Sequence, residues 1–87
     1  MESYSIEIKN SAVKELGKLP KVDLKRIVER IQSLSSEPRP AGCKKLSADE
    51  KYRLRAGNYR ILYSIEENKL IIYIVKVGHR KDVYKMI

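Results

Sequence analysis

The sequence predicts an α+β fold: a two-helix hairpin packed on one face of an antiparallel sheet, in the order β-α-α-β-β-β, with a short C-terminal tail or helix. Three observations carry this. An alternating segment opens the chain, two stretches of helical period follow, and from residue 51 onward strand-like runs alternate with turn residues. At 87 residues the chain is expected to form one domain spanning residues 1–87. A domain of this size buries only about 60–65% of the surface its unfolded chain exposes, so its core is thin and support from a partner is reasonable.

Residues 4–9 (Tyr-Ser-Ile-Glu-Ile-Lys) alternate apolar and polar side chains, the period of a half-buried strand. Asn10 or Ser11 can then cap a helix whose apolar positions are Ala12, Val13, Leu16 and Leu19, with Pro20 stopping it or starting the next. Leu24, Ile27, Val28, Ile31 and Leu34 form a single stripe on a second helix, and the residues between them are polar. Core packing accounts for both helices, and no chemistry is assigned to them. Residues 35–43 are rich in Ser, Pro and Gly and read as a connection. Residues 51–56 and 59–65 read as strands joined by Gly57-Asn58, a pair that tolerates positive φ in a two-residue hairpin. Glu66-Glu67-Asn68 makes another turn. Residues 69–77 are almost continuously apolar, the pattern of a central strand covered on both faces, and Gly78 is expected to end it. The tail from His79 to Ile87 is too short for an independent helix and must dock on the sheet or stay mobile. The first strand is expected to return to an edge of the sheet.

Nineteen Lys and Arg against eleven Asp and Glu give a net charge of +8. The excess is uneven: residues 1–42 hold eight basic and six acidic side chains, residues 43–87 eleven and five. Such a field favours a polyanion or an acidic protein partner. Cys43 is the only cysteine, which argues against a disulfide-stapled secreted domain and for a reducing cytoplasm. No apolar run reaches the ~20 residues of a membrane span, and Met1-Glu2-Ser3-Tyr4 lacks the order of a signal peptide. Neither a metal-ligand set nor a Gly-rich phosphate loop is present in the sequence, so no metal or nucleotide cofactor is expected.

Strand alternation sorts the chemistry. On residues 51–56, Arg53 and Arg55 share a face opposite Tyr52 and Leu54. On 59–65, Arg60, Leu62 and Ser64 share a face opposite Tyr59, Ile61, Tyr63 and Ile65. Helices cover the apolar face, leaving Arg53, Arg55 and Arg60 together on the other. Like charges on paired strands repel, and an anion bound among them relieves the repulsion. The alternative is three arginines splayed apart in water. His79, Arg80 and Tyr84 follow the last strand and can fold over the same face. Arginine forks match phosphate oxygens, tyrosine stacks on unpaired bases, and histidine moves protons near neutral pH. The set points to single-stranded RNA. Lys44, Lys45, Lys51 and Lys81 are candidates for further RNA contacts.

The run Tyr52-Arg53-Leu54-Arg55-Ala56-Gly57-Asn58-Tyr59-Arg60-Ile61-Leu62-Tyr63, with Gly78-His79-Arg80 … Val83-Tyr84, resembles the RelE branch of the RelE/ParE toxin superfamily. The resemblance covers essentially the whole chain. It implies a compact α+β toxin of a type II toxin–antitoxin system that cuts messenger RNA in the ribosomal 30S A site. There the RNA's own 2′-hydroxyl attacks the adjacent phosphate, without a metal. It implies that Arg60 lies against the scissile phosphate, that Arg80 protonates or stabilises the leaving oxygen, and that Tyr84 packs on the nucleotide. Arg53 and Arg55 stand where a well-known member has lysines. Arginine stays protonated, so these two can stabilise the transition state but not take a proton. His79 or Glu50 is the candidate for that role. The resemblance further implies a cytoplasmic protein with a RelB-like antitoxin partner, touching operator DNA only through that complex. Two other readings share the fold: a ParE-like inhibitor of DNA gyrase, and a non-catalytic module that binds RNA or ribosomes.

Overall fold

The structure, a computed structural model, describes residues 3–46 and 51–79. Its elements are β1 (Ser5–Ile8), α1 (Asn10–Gly17), α2 (Lys21–Ser33), β2 (Lys44–Lys45), β3 (Lys51–Ala56), β4 (Tyr59–Glu66) and β5 (Ile71–His79). The strands form one sheet in the order β1-β5-β4-β3-β2. The expected fold class is found, with helices on one face of the sheet and β1 at an edge. Two details differ. The two-residue strand β2 adds a further edge, and β1 runs parallel to β5, so the sheet is mixed. A parallel pair needs a long connection, and here both helices and three strands supply it.

The helix stripes bury as their spacing dictates. Ala12 and Leu16 of α1, with Ile27 and Ile31 of α2 and Leu34 just after it, meet Tyr52, Leu54, Ala56, Ile61, Tyr63, Ile65, Ile72, Ile74 and Val77 in one core. Val13, expected on the α1 stripe, stays half exposed. Neither Asn10 nor Ser11 caps α1: Lys9 precedes the helix and no side chain bonds its first amides.

Strand β5 lies between β1 and β4, as its apolar run suggested, but its second face is only partly covered. Ile72 and Ile74 are buried, whereas Ile71, Tyr73 and Val75 are half-buried. Gly78 does not end the strand, which continues to His79 because Tyr59 and Arg60 pair with His79 and Gly78. In the β3–β4 hairpin only Gly57 takes positive φ, +62°, so the turn uses glycine at its first central position and Asn58 stays at negative φ. In the β4–β5 turn Leu70 rather than Asn68 carries the positive φ, at 53°.

The connection after α2 is tied down by aromatic side chains. The Tyr63 hydroxyl donates to the Pro38 carbonyl at 2.7 Å, and the Arg39 guanidinium lies 5.3 Å over the Tyr52 ring and donates to its hydroxyl. Tyr52 stacks on Tyr63 with centroids 5.6 Å apart. This latch delivers Lys44 to its place opposite Arg53.

Candidate nucleic-acid interface

Pairing of β3 with β4 sets the arrangement of charge. Arg55 faces Arg60 directly across the hairpin, and Arg53 faces Leu62. Opposed side chains on an antiparallel pair start with Cβ atoms about 4.5–5.5 Å apart. Because Tyr52, Leu54 and Ala56 point into the core, Arg53 and Arg55 point away from the helices, and Arg60 does the same between Tyr59 and Ile61. Lys44 pairs with Arg53 and Lys51 with Ser64, so both lysines join this face.

Arg60 is 8% exposed and is the one charged residue found buried among the described residues. Burying a guanidinium beside other cations is costly unless something compensates. Arg53 is half-buried, and Arg55 is exposed with its Nε 3.4 Å from the Gly57 carbonyl. On the other side of Arg60 the register partner is Gly78, so no side chain of β5 stands directly opposite the arginine.

Lys44, Arg53, Arg55 and Arg60 line a cleft of about 710 Å³. β2 pairs only with Tyr52 and Arg53, and the turn that leads into it, closed by the Cys43 N–H bonding the Pro40 carbonyl at 3.1 Å, has Gly42 at φ +91°. Arg30 of α2 and Asn58 of the hairpin also line the cleft. Sequence reasoning missed both. Arg30 sits on the polar side of a helix, where periodicity reads it as solvated, and only helix docking brings it to the sheet edge.

Not every expected residue joins the site. His79 pairs with Tyr59 rather than Arg60, and its ring meets the Tyr59 ring edge-on at 5.8 Å. Tyr59 in turn bonds Asp23 of α2 at 3.3 Å, so His79 stands on the helix side of the sheet. The expectation that it folds over the arginines fails, because strand β5 continues through Gly78 and alternation turns the next side chain away. Partial burial, with the Asp23 carboxylate beside it, raises the Tyr59 hydroxyl above its ordinary range. Lys45 pairs with Tyr52 and so also lies off the arginine face. Arg80, Lys81, Tyr84 and Glu50 lie outside the described residues, as does the tail from residue 80 onward. Among the described residues no cluster of His, Cys, Asp and Glu is arranged to hold a metal, and no helix is long and apolar enough to cross a membrane.

Residues 6–84 match the family described as ParE toxin of type II toxin-antitoxin system. The chain is 34% identical to Toxin RelG of Mycobacterium tuberculosis, covering 94% of this chain and 97% of that one. It is 24% identical to the mRNA interferase toxin RelE of Escherichia coli K12, covering 94% and 90% respectively. Among solved structures, the archaeal RelE–RelB complex from Pyrococcus horikoshii superposes with a TM-score of 0.79 at 32% identity, covering 90% of this chain and 96% of that one.

Proposed function

The chain belongs to the RelE/ParE superfamily of toxins of type II toxin–antitoxin systems, and from that premise we propose that it is a ribosome-dependent endoribonuclease that cuts messenger RNA in the A site and stops translation. The observation that carries this reading is the buried Arg60 set in register opposite Arg55, on the face that also presents Arg53 and Lys44. A relative named an mRNA interferase supports it.

The RNA 2′-oxygen attacks the adjacent phosphorus, a 2′,3′-cyclic phosphate forms, and the 5′-oxygen leaves and takes up a proton. Arg60 grips the scissile phosphate, its burial making the charge effective in a water-poor site. Arg53 and Arg55 stabilise the extra negative charge of the pentacoordinate transition state. Neither removes the 2′-proton, since arginine keeps its own. His79 faces the helix side and takes no part. Alignment of the 2′-oxygen with the phosphate inside the ribosome carries much of the acceleration, and a weak base then suffices. Arg80 protonates or stabilises the leaving oxygen and Tyr84 stacks on the nucleotide. Lys44, Lys51 and Lys81 guide the strand. The protein acts in the cytoplasm, where ribosomes and messages are. Its antitoxin is a RelB-like chain with an acidic or amphipathic segment that covers the basic face, and operator DNA is met through that complex.

Primer extension on ribosomes programmed with messenger RNA tests the reading. Wild-type protein is expected to produce A-site cuts, and Arg60→Ala to lower their rate by at least about 100-fold, the scale of losing one transition-state donor. Undiminished cutting by Arg60→Ala sinks it. The description of the matching family as ParE favours a second reading, inhibition of DNA gyrase. On that reading, expression triggers DNA-damage signalling before translation falls; on the first, the order is reversed.

A further inference from the structure

The geometry points to Glu15 of α1 as a positioning residue for the arginine site, acting through the register of β5. This rests on the nuclease reading only for its effect on cleavage. The pairing of β4 with β5 contains one irregularity: Leu62 pairs with Lys76, but the next residue, Tyr63, pairs with Ile74, and Val75 is the extra residue between them. The bulge decides which side chains reach Arg60. A regular ladder continued from Tyr63–Ile74 would set Val75 opposite Leu62, Lys76 opposite Ile61 and Val77 opposite Arg60. One step of slip exchanges the two faces of a strand. It would turn Lys76 into the core and place a valine side chain beside the Arg60 guanidinium. With the bulge, Val77 is 1% exposed in the core and Gly78 lies opposite Arg60.

A bulge weakens its own ladder and needs support. The neighbour that could give it is absent here, because β1 reaches only as far as Ile8 opposite Ile74, with the Lys9 amide bonded to the Ile74 carbonyl. Beyond that point α1 runs where a strand would lie. Its Glu15 carboxylate accepts the Val77 N–H at 3.0 Å through Oε1 and pairs with the Lys76 ammonium through Oε2. The two side chains are only 26% and 21% exposed, so the pair is partly sheltered from water. One carboxylate thereby holds two successive residues just after the bulge, and both contacts require the slipped register.

Wild type, Glu15→Ala and Glu15→Gln are compared in two measurements. The first is single-turnover cutting of ribosome-bound message, with amide exchange at Val77 followed in parallel by NMR. Glu15→Ala is expected to lower the cleavage rate about 10- to 100-fold, leave half-saturation by ribosomes unchanged, and speed Val77 exchange. Glu15→Gln retains an oxygen acceptor for the Val77 amide and is expected to recover most of the rate. Cleavage by Glu15→Ala within twofold of wild type, or Val77 protection equal in both, overturns the proposal. If wild type cuts nothing, the nuclease reading falls and Val77 exchange alone decides the register claim. If Glu15→Ala does not fold, Glu15→Met, which keeps bulk but has no oxygen acceptor for the Val77 amide, decides: faster Val77 exchange than wild type upholds the claim, and protection equal to wild type overturns it.

Discussion

Arg60 and Tyr63 stand three residues apart on one strand and point to opposite faces. Arg60 places a cation where water is scarce, while Tyr63 seals the core and fastens the connection after α2. Burial is the main cause that pushes the Tyr63 hydroxyl above its ordinary range, with the Cys43 thiol next to it adding to the effect. The folded value exceeds the unfolded one, so this group's contribution to stability is complete below about pH 10 and is lost as pH rises beyond it. Tyr63→Phe is therefore expected to cost about 1 kcal/mol near neutrality through the lost bond to Pro38. It is also expected to make the fall in stability above pH 10 shallower. Urea unfolding at pH 8 and pH 10.5 checks both. At Arg60 itself, lysine keeps the charge but not the planar fork. Arg60→Lys is expected to cut messenger RNA more slowly than wild type yet faster than Arg60→Ala in the same primer-extension assay.

At the level of elements, the β3–β4 hairpin and α2 carry the site from opposite sides. Gly57 holds φ +62°, and a Cβ there would come within 3.1 Å of the Arg26 Nη1 atom. The flexible arginine can move, but the backbone strain remains. Gly57→Ala is expected to cost about 1–2 kcal/mol in urea unfolding and to slow cleavage, because the turn keeps Arg55 opposite Arg60. Ile27, fully buried on α2, belongs to the core that α2 shares with the sheet. Ile27→Ala is expected to cost about 2–5 kcal/mol by the same measurement. The hairpin was legible because Gly-Asn between two alternating runs has few other uses, and α2 because five apolar residues shared one stripe. Strand β2 was not legible: two lysines carry no period, and their pairing depends on the Arg39, Tyr52 and Tyr63 contacts that pin the preceding connection.

Across the whole molecule, a charge of +8 concentrated in the second half meets a sheet that gathers part of it on one face. Binding to ribosomes or to RNA is expected to weaken steeply with salt, the slope falling by about one for each phosphate contact removed. Arg53→Ala and Lys44→Ala, measured by filter binding from low to physiological salt, should each show this. A slope unchanged in both variants would remove these residues from the interface.

The sequence by itself determined what depends on near neighbours: the helix stripes, the hairpin, and the side of β3 and β4 on which Arg53, Arg55 and Arg60 fall, since period and turn chemistry are local properties. Tertiary structure decided what depends on pairing between distant segments. Strand β5 runs beside β1, Arg30 reaches the cleft, His79 turns to the helix side, and one extra residue at Val75 brings Gly78 rather than Val77 opposite Arg60. Alternation within a strand says which residues share a face. It does not say where that alternation slips by one, because the slip is stabilised by a carboxylate sixty residues away in the chain.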